Sequence, residues 1–389
     1  MKVQAYFNSF FWLIATYLLA PLFYFLIFFR KQNERPKILV IQTAKIGDLV
    51  CTTPVFREIK KNFPNCYLTA MVLAQAKDVL KNNPRIDEII VINDYSGIKG
   101  GLRLIKKLRR DHYDWVFGLF PDYFINMLGL WSLIKNRAIT THRYFGETIG
   151  LLSIFNNYRL EYKSHTSRIK HYLALLKFIG IENYSERKEI FIQPDERKKA
   201  FDFLKDKNLN PNDLLIGVCV AAGVKFKEWE PAKFAALADL LIERLEAKII
   251  FIGSLGDRVV IGKIQEMMQN NSIDTAGYFN LRELPALMEE LKLFISGDTG
   301  PLYIADALNI LSVDIPGPVD IYEQSPIHER CAIVQKKLYC CPCLFSPSFA
   351  SFCKEGGHLQ CLKQINPEDV FSAAVSLLNK NSDNQQISP

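Results

Sequence analysis

The chain opens with an apolar block and then settles into short apolar runs alternating with amphipathic stretches. From Phe10 to Phe29 twenty residues pass without a charge, interrupted only by Thr16 and Pro21. A helix of that length rises about 30 Å, the thickness of a bilayer's hydrocarbon core. Pro21 would kink it, which membrane helices tolerate. The Phe, Tyr and Trp content suits a shallow interfacial insertion as well as a full span. The run is apolar on every face, which argues against an ordinary core helix. It is also too long for a signal peptide, and no small-x-small cleavage site follows it. Membrane attachment is the expectation.

After this block the pattern predicts strands at Ile38–Gln42, Tyr67–Leu73, Glu88–Ile92 and Asp114–Leu119, with helical stretches such as Val55–Asn62 and Leu102–Arg110 between them. A polar zone from Tyr184 to Asp213, carrying its own helix at Glu196–Lys207, breaks the rhythm. The alternation then restarts, with strands at Leu214–Val220, Lys248–Ile252, Lys292–Ser296 and Ile310–Ile315 and helices at Pro231–Leu245 and Arg258–Gln269. Repeated βαβ units build parallel sheets. The expected organisation is an anchor (1–35), a first α/β domain (36–185), an interdomain segment (186–212), a second α/β domain (213–365), and a terminal helix with a flexible tail (366–389). The two domains are expected to face each other across a cleft.

Composition fits that picture. A chain of 389 residues, 49% hydrophobic and 23% charged, is neither disordered nor a small disulfide scaffold. The mean hydropathy of +0.03 is high for a soluble enzyme, and the N-terminal block accounts for most of the excess. Lys2 precedes the block while Arg30, Lys31, Arg35 and Lys37 follow it, so the positive-inside rule places the body in the cytoplasm. The net charge of +7 agrees with a body lying against an anionic leaflet. Part of that charge lies at Lys99, Arg103, Lys106, Lys107, Arg109 and Arg110, on a helix that reads equally as a solvated face or a membrane-surface face. No nucleic-acid recognition motif accompanies it.

Absent motifs narrow the chemistry. No two glycines are spaced G-x-G, and there is no G-x-x-x-x-G-K-[ST], H-E-x-x-H, G-x-S-x-G or D-x-D, which removes dinucleotide, P-loop, zinc-protease and α/β-hydrolase signatures. Three strand-end turns remain. Thr43-Ala44-Lys45-Ile46-Gly47-Asp48 places a carboxylate where open α/β sheets bind ligands, although taken alone Asp48 reads better as a helix cap. Ser296-Gly297-Asp298-Thr299-Gly300-Pro301 would expose several backbone N–H groups at a helix start, an anion site that needs no metal. Lys225-Phe226-Lys227-Glu228-Trp229 offers a lysine to neutralise a leaving phosphate, or a merely solvated one.

Taken together, the order and context of these turns resemble glycosyltransferase family 9, the ADP-heptose:lipopolysaccharide heptosyltransferases. The resemblance rests on ILVIQTAKIGDLVCTTPVFREIKKNFP, Tyr113-Asp114, Lys227-Glu228-Trp229 with Phe234 and Leu237, and Phe294–Asp298-Thr299-Gly300-Pro301 with Ala305, Ala307 and Leu308. It runs from about Lys37 to Val370. It implies a GT-B fold, two Rossmann-like domains with the nucleotide-sugar donor held mainly by the second. It implies Asp48 as general base, with Lys45 and Gly47 of the same turn contacting substrate, and Lys227 at the donor's phosphate or sugar. Asp298, Thr299 and Gly300 would line the diphosphate site, with Asp257 and Phe279 near the nucleoside. Tyr303 stands where the family usually has His. The implied reaction is metal-independent inverting transfer of a sugar, heptose from ADP-heptose above all, onto a lipid-linked acceptor such as the lipopolysaccharide inner core. The implied location is the cytoplasmic side of the bacterial inner membrane. The same fold using another nucleotide sugar for another surface glycan, or a catalytically silent membrane scaffold, are the alternatives.

Five of the nine cysteines lie between Cys340 and Cys361. Cys340, Cys343, Cys353 and Cys361 resemble a cysteine cluster found in many members of that family. They are the expected ligands of a structural zinc, with a metal-free cysteine-rich loop as the equal alternative.

Overall fold

Two six-stranded sheets, every strand pair parallel, form the framework. The computed structural model of the chain describes residues 2–141, 147–210, 212–323, 325–343, 353 and 358–386. The chain divides into two units, Met1–Arg187 and Lys188–Pro389.

The first unit contains β1 (Lys37–Gln42), β2 (Tyr67–Val72), β3 (Glu88–Val91), β4 (Trp115–Gly118), β5 (Asn136–Thr141) and β6 (Tyr158–Glu161), in the order β3-β2-β1-β4-β5-β6. The second contains β7 (Leu215–Cys219), β8 (Lys248–Ile252), β9 (Ile273–Asp274), β10 (Leu293–Gly297), β11 (Ser312–Ile315) and β12 (Cys331–Ile333), in the order β12-β11-β10-β7-β8-β9. Counted from its own first strand, each sheet has the same 3-2-1-4-5-6 order, the doubly wound arrangement expected from the alternating pattern. In such a sheet the crossovers change direction between the first and fourth strands, which opens a crevice at their carboxyl ends. That crevice follows β1 and β4 in one unit and β7 and β10 in the other. Central strands such as β1 and β7 are buried along nearly their whole length, which is why they read as continuous apolar runs.

The apolar N-terminal block forms one helix, Lys2–Phe28, running through Pro21. It is not a separate appendage. Trp12, Ala20, Phe23 and Ile27 are buried in the same core as β1 and the helix Tyr123–Trp131. Their spacing forms one stripe along the helix. The Trp12 ring lies edge-on to Trp131 at 5.0 Å, and Phe23 packs on Trp131 at 5.0 Å. The Trp131 indole N–H donates to Thr16 Oγ1 at 2.8 Å. Arg30, counted above as an interfacial cation, donates instead to the carbonyls of Ser132, Leu133 and Arg109 at 2.8, 2.7 and 3.1 Å. A cation there satisfies the unpaired carbonyls at helix C-termini. The expected boundary after residue 35 is therefore not a structural one. At the other end, the helix Pro367–Gln386 continues well past Asn379.

Candidate functional site

Each crevice collects the residues that the three strand-end turns singled out. After β1, Lys45 occupies the N-cap of the short helix Ile46–Val50 with extended backbone and no side-chain cap, and Gly47 and Asp48 are buried inside it. Asp48 is thus not a capping residue. Its Oδ1 accepts from Arg168 Nη1 at 2.6 Å and from the Tyr172 hydroxyl at 3.3 Å. Both partners lie on or at the start of the helix Arg168–Ala174, whose N-cap Ser167 accepts from the Lys170 N–H. Burial, and then the Asp48 carboxylate, push the Tyr172 phenol well above its ordinary value, so it stays a neutral donor. The result is a desolvated carboxylate held in one orientation at the carboxyl end of the first strand. Sequence reasoning missed Arg168 and Tyr172, because they lie about 120 residues away and nothing local marks them.

In the second unit the Lys225–Lys227 turn follows β7 and Asp298 follows β10, so the crevice brings the two motifs together. Lys227 Nζ donates to Asp298 Oδ2 at 2.5 Å, and the Tyr303 hydroxyl donates to Asp298 Oδ1. Trp229 is buried edge-on to Phe234 and donates its indole N–H to Ile365 O at 3.2 Å, which pins the lysine-bearing turn to the C-terminal segment. The backbone passes closely at Gly297, where a Cβ would lie 3.3 Å from Ile315 O, a tight contact, and 3.6 Å from Lys227 O. Thr299 is the N-cap of the helix Gly300–Ala307, with no side-chain cap and a proline in the first turn. A helix start of this kind favours an anion, although Pro301 carries no N–H and the Leu302 N–H donates to Thr299 O at 3.2 Å. Tyr303, buried in that helix, serves Asp298.

One further group was not anticipated. Asp314, in the middle of β11, is fully buried and accepts from the Ser325 hydroxyl at 2.8 Å, while its Oδ1 finds no hydrogen-bond partner among the described residues. Burial, and then the negative charge of Asp298, push its carboxyl up to about 8. A carboxyl in that state is neutral near pH 7. A lone Asp inside an apolar strand was the available sequence signal.

The two nucleoside-side candidates hold local structure. Asp257 Oδ2 accepts from both the N–H and the hydroxyl of Ser254, each at 2.7 Å, closing a capping box. Burial, and then the Asp257 charge, push the Cys219 thiol at the end of β7 up to about 12. Phe279 is buried against Phe203 and Tyr278, with the Lys199 ammonium 5.5 Å from its ring centre. Cys340, Cys343, Cys353 and Cys361 form no disulfide among the described residues. Among the described residues no three His, Cys, Asp or Glu side chains are grouped to hold a metal. Residues 344–352 and 354–357 of that stretch lie outside the described residues.

The sequence profile of glycosyltransferase family 9 (heptosyltransferase) matches residues 101–351, more than half of the chain. The chain belongs to glycosyltransferase family 9. It is similar to lipopolysaccharide heptosyltransferase 3 of Escherichia coli K12, with 27% identity over 283 residues covering 70% of this chain and 80% of that one. The family 9 glycosyl transferase of Veillonella parvula shares its fold with a TM-score of 0.76 at 24% identity, over 90% of this chain and 100% of that chain. The ADP-heptose lps heptosyltransferase II of Escherichia coli does so with a TM-score of 0.71 at 20% identity, over 89% and 99%. The fold is GT-B-like, and this family 9 member is a glycosyltransferase. The profile match contains Lys227, Asp298 and Asp314, whereas Asp48 lies ahead of it, in the opening turn on which the resemblance was first noted.

Proposed function

We propose that this family 9 glycosyltransferase moves heptose from ADP-heptose onto a lipid-linked acceptor of the lipopolysaccharide-core type. The transfer is metal-independent and inverts the sugar carbon. The observation that carries the donor assignment is the joined motif in the second unit: Lys227 paired with Asp298 at 2.5 Å beside an uncapped helix start. Negative charge grows on a nucleoside diphosphate as the sugar leaves. An ammonium and preorganised N–H groups stabilise that charge without a metal. In the first unit, Asp48 is the group that takes the acceptor hydroxyl's proton, kept in orientation by Arg168 and Tyr172. The choice of heptose and of a lipopolysaccharide acceptor draws on the named relatives, and the apolar helix supports work at the cytoplasmic face of the inner membrane.

Donor binding tests this directly. Titration with ADP-heptose and with UDP-, GDP- and CDP-sugars should show binding of the ADP-sugar alone. Lys227→Ala should weaken it about 10- to 100-fold, the range for a hydrogen bond to a charged group. Tight binding of a different nucleotide sugar would reassign the donor, and binding of none would favour a silent scaffold. A structural zinc on Cys340, Cys343, Cys353 and Cys361 is proposed separately. The described thiols do not form a metal-ligand group, although Cys361 lies within electrostatic reach of Cys340, Cys341, Cys343 and Cys353. Metal analysis of the reduced protein should find about one equivalent, and its absence would remove zinc from the account.

A further inference from the structure

The N-terminal helix has two faces with different fates. Its inner stripe, Trp12, Thr16, Ala20, Phe23 and Ile27, is buried on the first unit from Trp12 to Ile27, about 22 Å of helix. The opposite face presents Phe11, Ile14, Leu18, Leu22, Phe25 and Phe29, with Leu18 75% exposed. Among the described residues, eleven large apolar residues of this helix, and Phe29 just after it, are at least a third exposed. At roughly half of a large side chain each, that is on the order of 1,000 Å² of apolar surface, beyond the largest patch of an ordinary soluble monomer.

The patch continues sideways onto two neighbouring helices of the same unit. Tyr17 donates to Leu151 O at 3.1 Å, and its ring lies 4.8 Å from Phe155, next to the exposed Leu151 and Ile154. On the other flank, a Cβ added at Gly101 would sit 3.3 Å from the Trp12 ring, so the helix Gly97–Asp111 packs directly alongside. That helix exposes Ile98 and Leu102 together with Lys99, Arg103 and Lys106. Lys31 is exposed just beyond the N-terminal helix.

We propose that this face is a monotopic membrane-binding surface: the helix lies in the plane of an anionic leaflet, inserted by its outer face while its inner face stays on the domain. Three observations choose this occupant. A helix clamped along its length to a charged α/β unit cannot cross about 30 Å of hydrocarbon without shedding that unit. Crossing would also strand the Trp131 indole and the carbonyls that Arg30 satisfies. A second copy of the chain would bring the same exposed cations to the same rim, whereas an anionic bilayer pairs with them. With the helix in plane, its N-terminus lies on the same side of the membrane as the body, so the positive-inside argument for a span no longer sets orientation. The inference stands apart from the donor and acceptor assignments, and its test needs no catalysis.

The full chain, purified in mild detergent, is diluted into vesicles of phosphatidylethanolamine and phosphatidylglycerol, or of phosphatidylcholine alone, and floated on a density gradient. The expected result is flotation with the anionic vesicles. Leu18→Glu with Phe25→Glu should reduce the floated fraction at least tenfold with an unchanged circular dichroism spectrum, and the milder Leu18→Ser should reduce it less. An N-terminal epitope tag, with the chain expressed in a Gram-negative host, should resist protease added to intact spheroplasts and be cut after lysis. A tag cut in intact spheroplasts would establish a span and overturn the proposal. So would flotation unaffected by the paired substitution, or a dimer that ignores vesicles and dissociates on Leu18→Ser.

Discussion

Asp314→Asn isolates the buried carboxyl beneath the Lys227–Asp298 pair. Asparagine keeps the shape and an oxygen for the Ser325 hydroxyl but cannot ionise. In the folded protein the Asp314 carboxyl is pushed up to about 8, chiefly by burial and then by Asp298, against an ordinary value of 3.8. Between those two values the unfolded chain has lost the proton that the folded protein still holds. The folded state then binds more protons, so stability falls as pH rises, by about 1.4 kcal/mol per pH unit, and levels off above about pH 8. From pH 5 to pH 8 the difference between variant and parent should therefore grow in favour of the variant by up to about 4 kcal/mol. Relaxation around the site lowers this. The assay is urea unfolding at a series of pH values followed through Trp229, the one tryptophan of the second unit. Parallel pH profiles for the two proteins would mean that Asp314 is ionised in the fold, and the reading of a neutral buried carboxyl would be wrong.

Other consequences are equally concrete. Trp12→Ala should destabilise the first unit by about 3–5 kcal/mol, roughly a 10 °C drop in its thermal transition, because the ring is 3% exposed and packed on Trp131. Leu18→Ala on the outer face should change it by less than about 0.5 kcal/mol in detergent, and equal effects at the two positions would show that the helix is not docked. For the same reason, deleting residues 2–30 should unfold or aggregate the first unit rather than release an active soluble enzyme; a folded, active truncation would contradict the shared core. Arg168→Ala should cost about 2–4 kcal/mol by removing the guanidinium that lies 2.6 Å from the buried Asp48 carboxylate, measured as the same transition. An unchanged midpoint would mean the pair is held by packing alone. Asp369 is held below the usual carboxylate range, first by Lys336 and then by the Asn366 N–H. Its contribution is present above the unfolded value and disappears as pH falls through the folded one, so Asp369→Asn should flatten acid destabilisation of the second unit below about pH 4.

Much of this architecture could be read from the pattern of apolar residues, and the exceptions have physical reasons. The buried central strands Lys37–Gln42 and Lys248–Ile252 were visible because both of their faces are covered, so nearly every residue is apolar. The strands Asn136–Thr141 and Tyr158–Glu161 were not, since polar residues fill them. Arg137, for one, is buried but donates to the carbonyls of Ile134, Lys135 and Phe155. Lys227 and Asp298 were legible as turns because the residues after a strand carry the chemistry of an open sheet. Their meeting required the strand order, which places β7 beside β10. Arg168, Tyr172 and the inner stripe of the N-terminal helix depend on contacts between distant segments. A run apolar on every face conceals which side packs on protein, and only the fold separates Trp12 from Leu18.

The central claim, sugar transfer with Asp48 as base, is tested most directly by single-turnover transfer from ADP-heptose to a lipopolysaccharide-core acceptor, followed by mass spectrometry in the presence of a chelator. The wild-type chain should add heptose and release ADP at a rate the chelator leaves unchanged. Asp48→Asn should bind ADP-heptose as the parent does and transfer at least 100-fold more slowly, the span expected for loss of a positioned base. Transfer by Asp48→Asn at the wild-type rate, with the fold intact, would contradict the account.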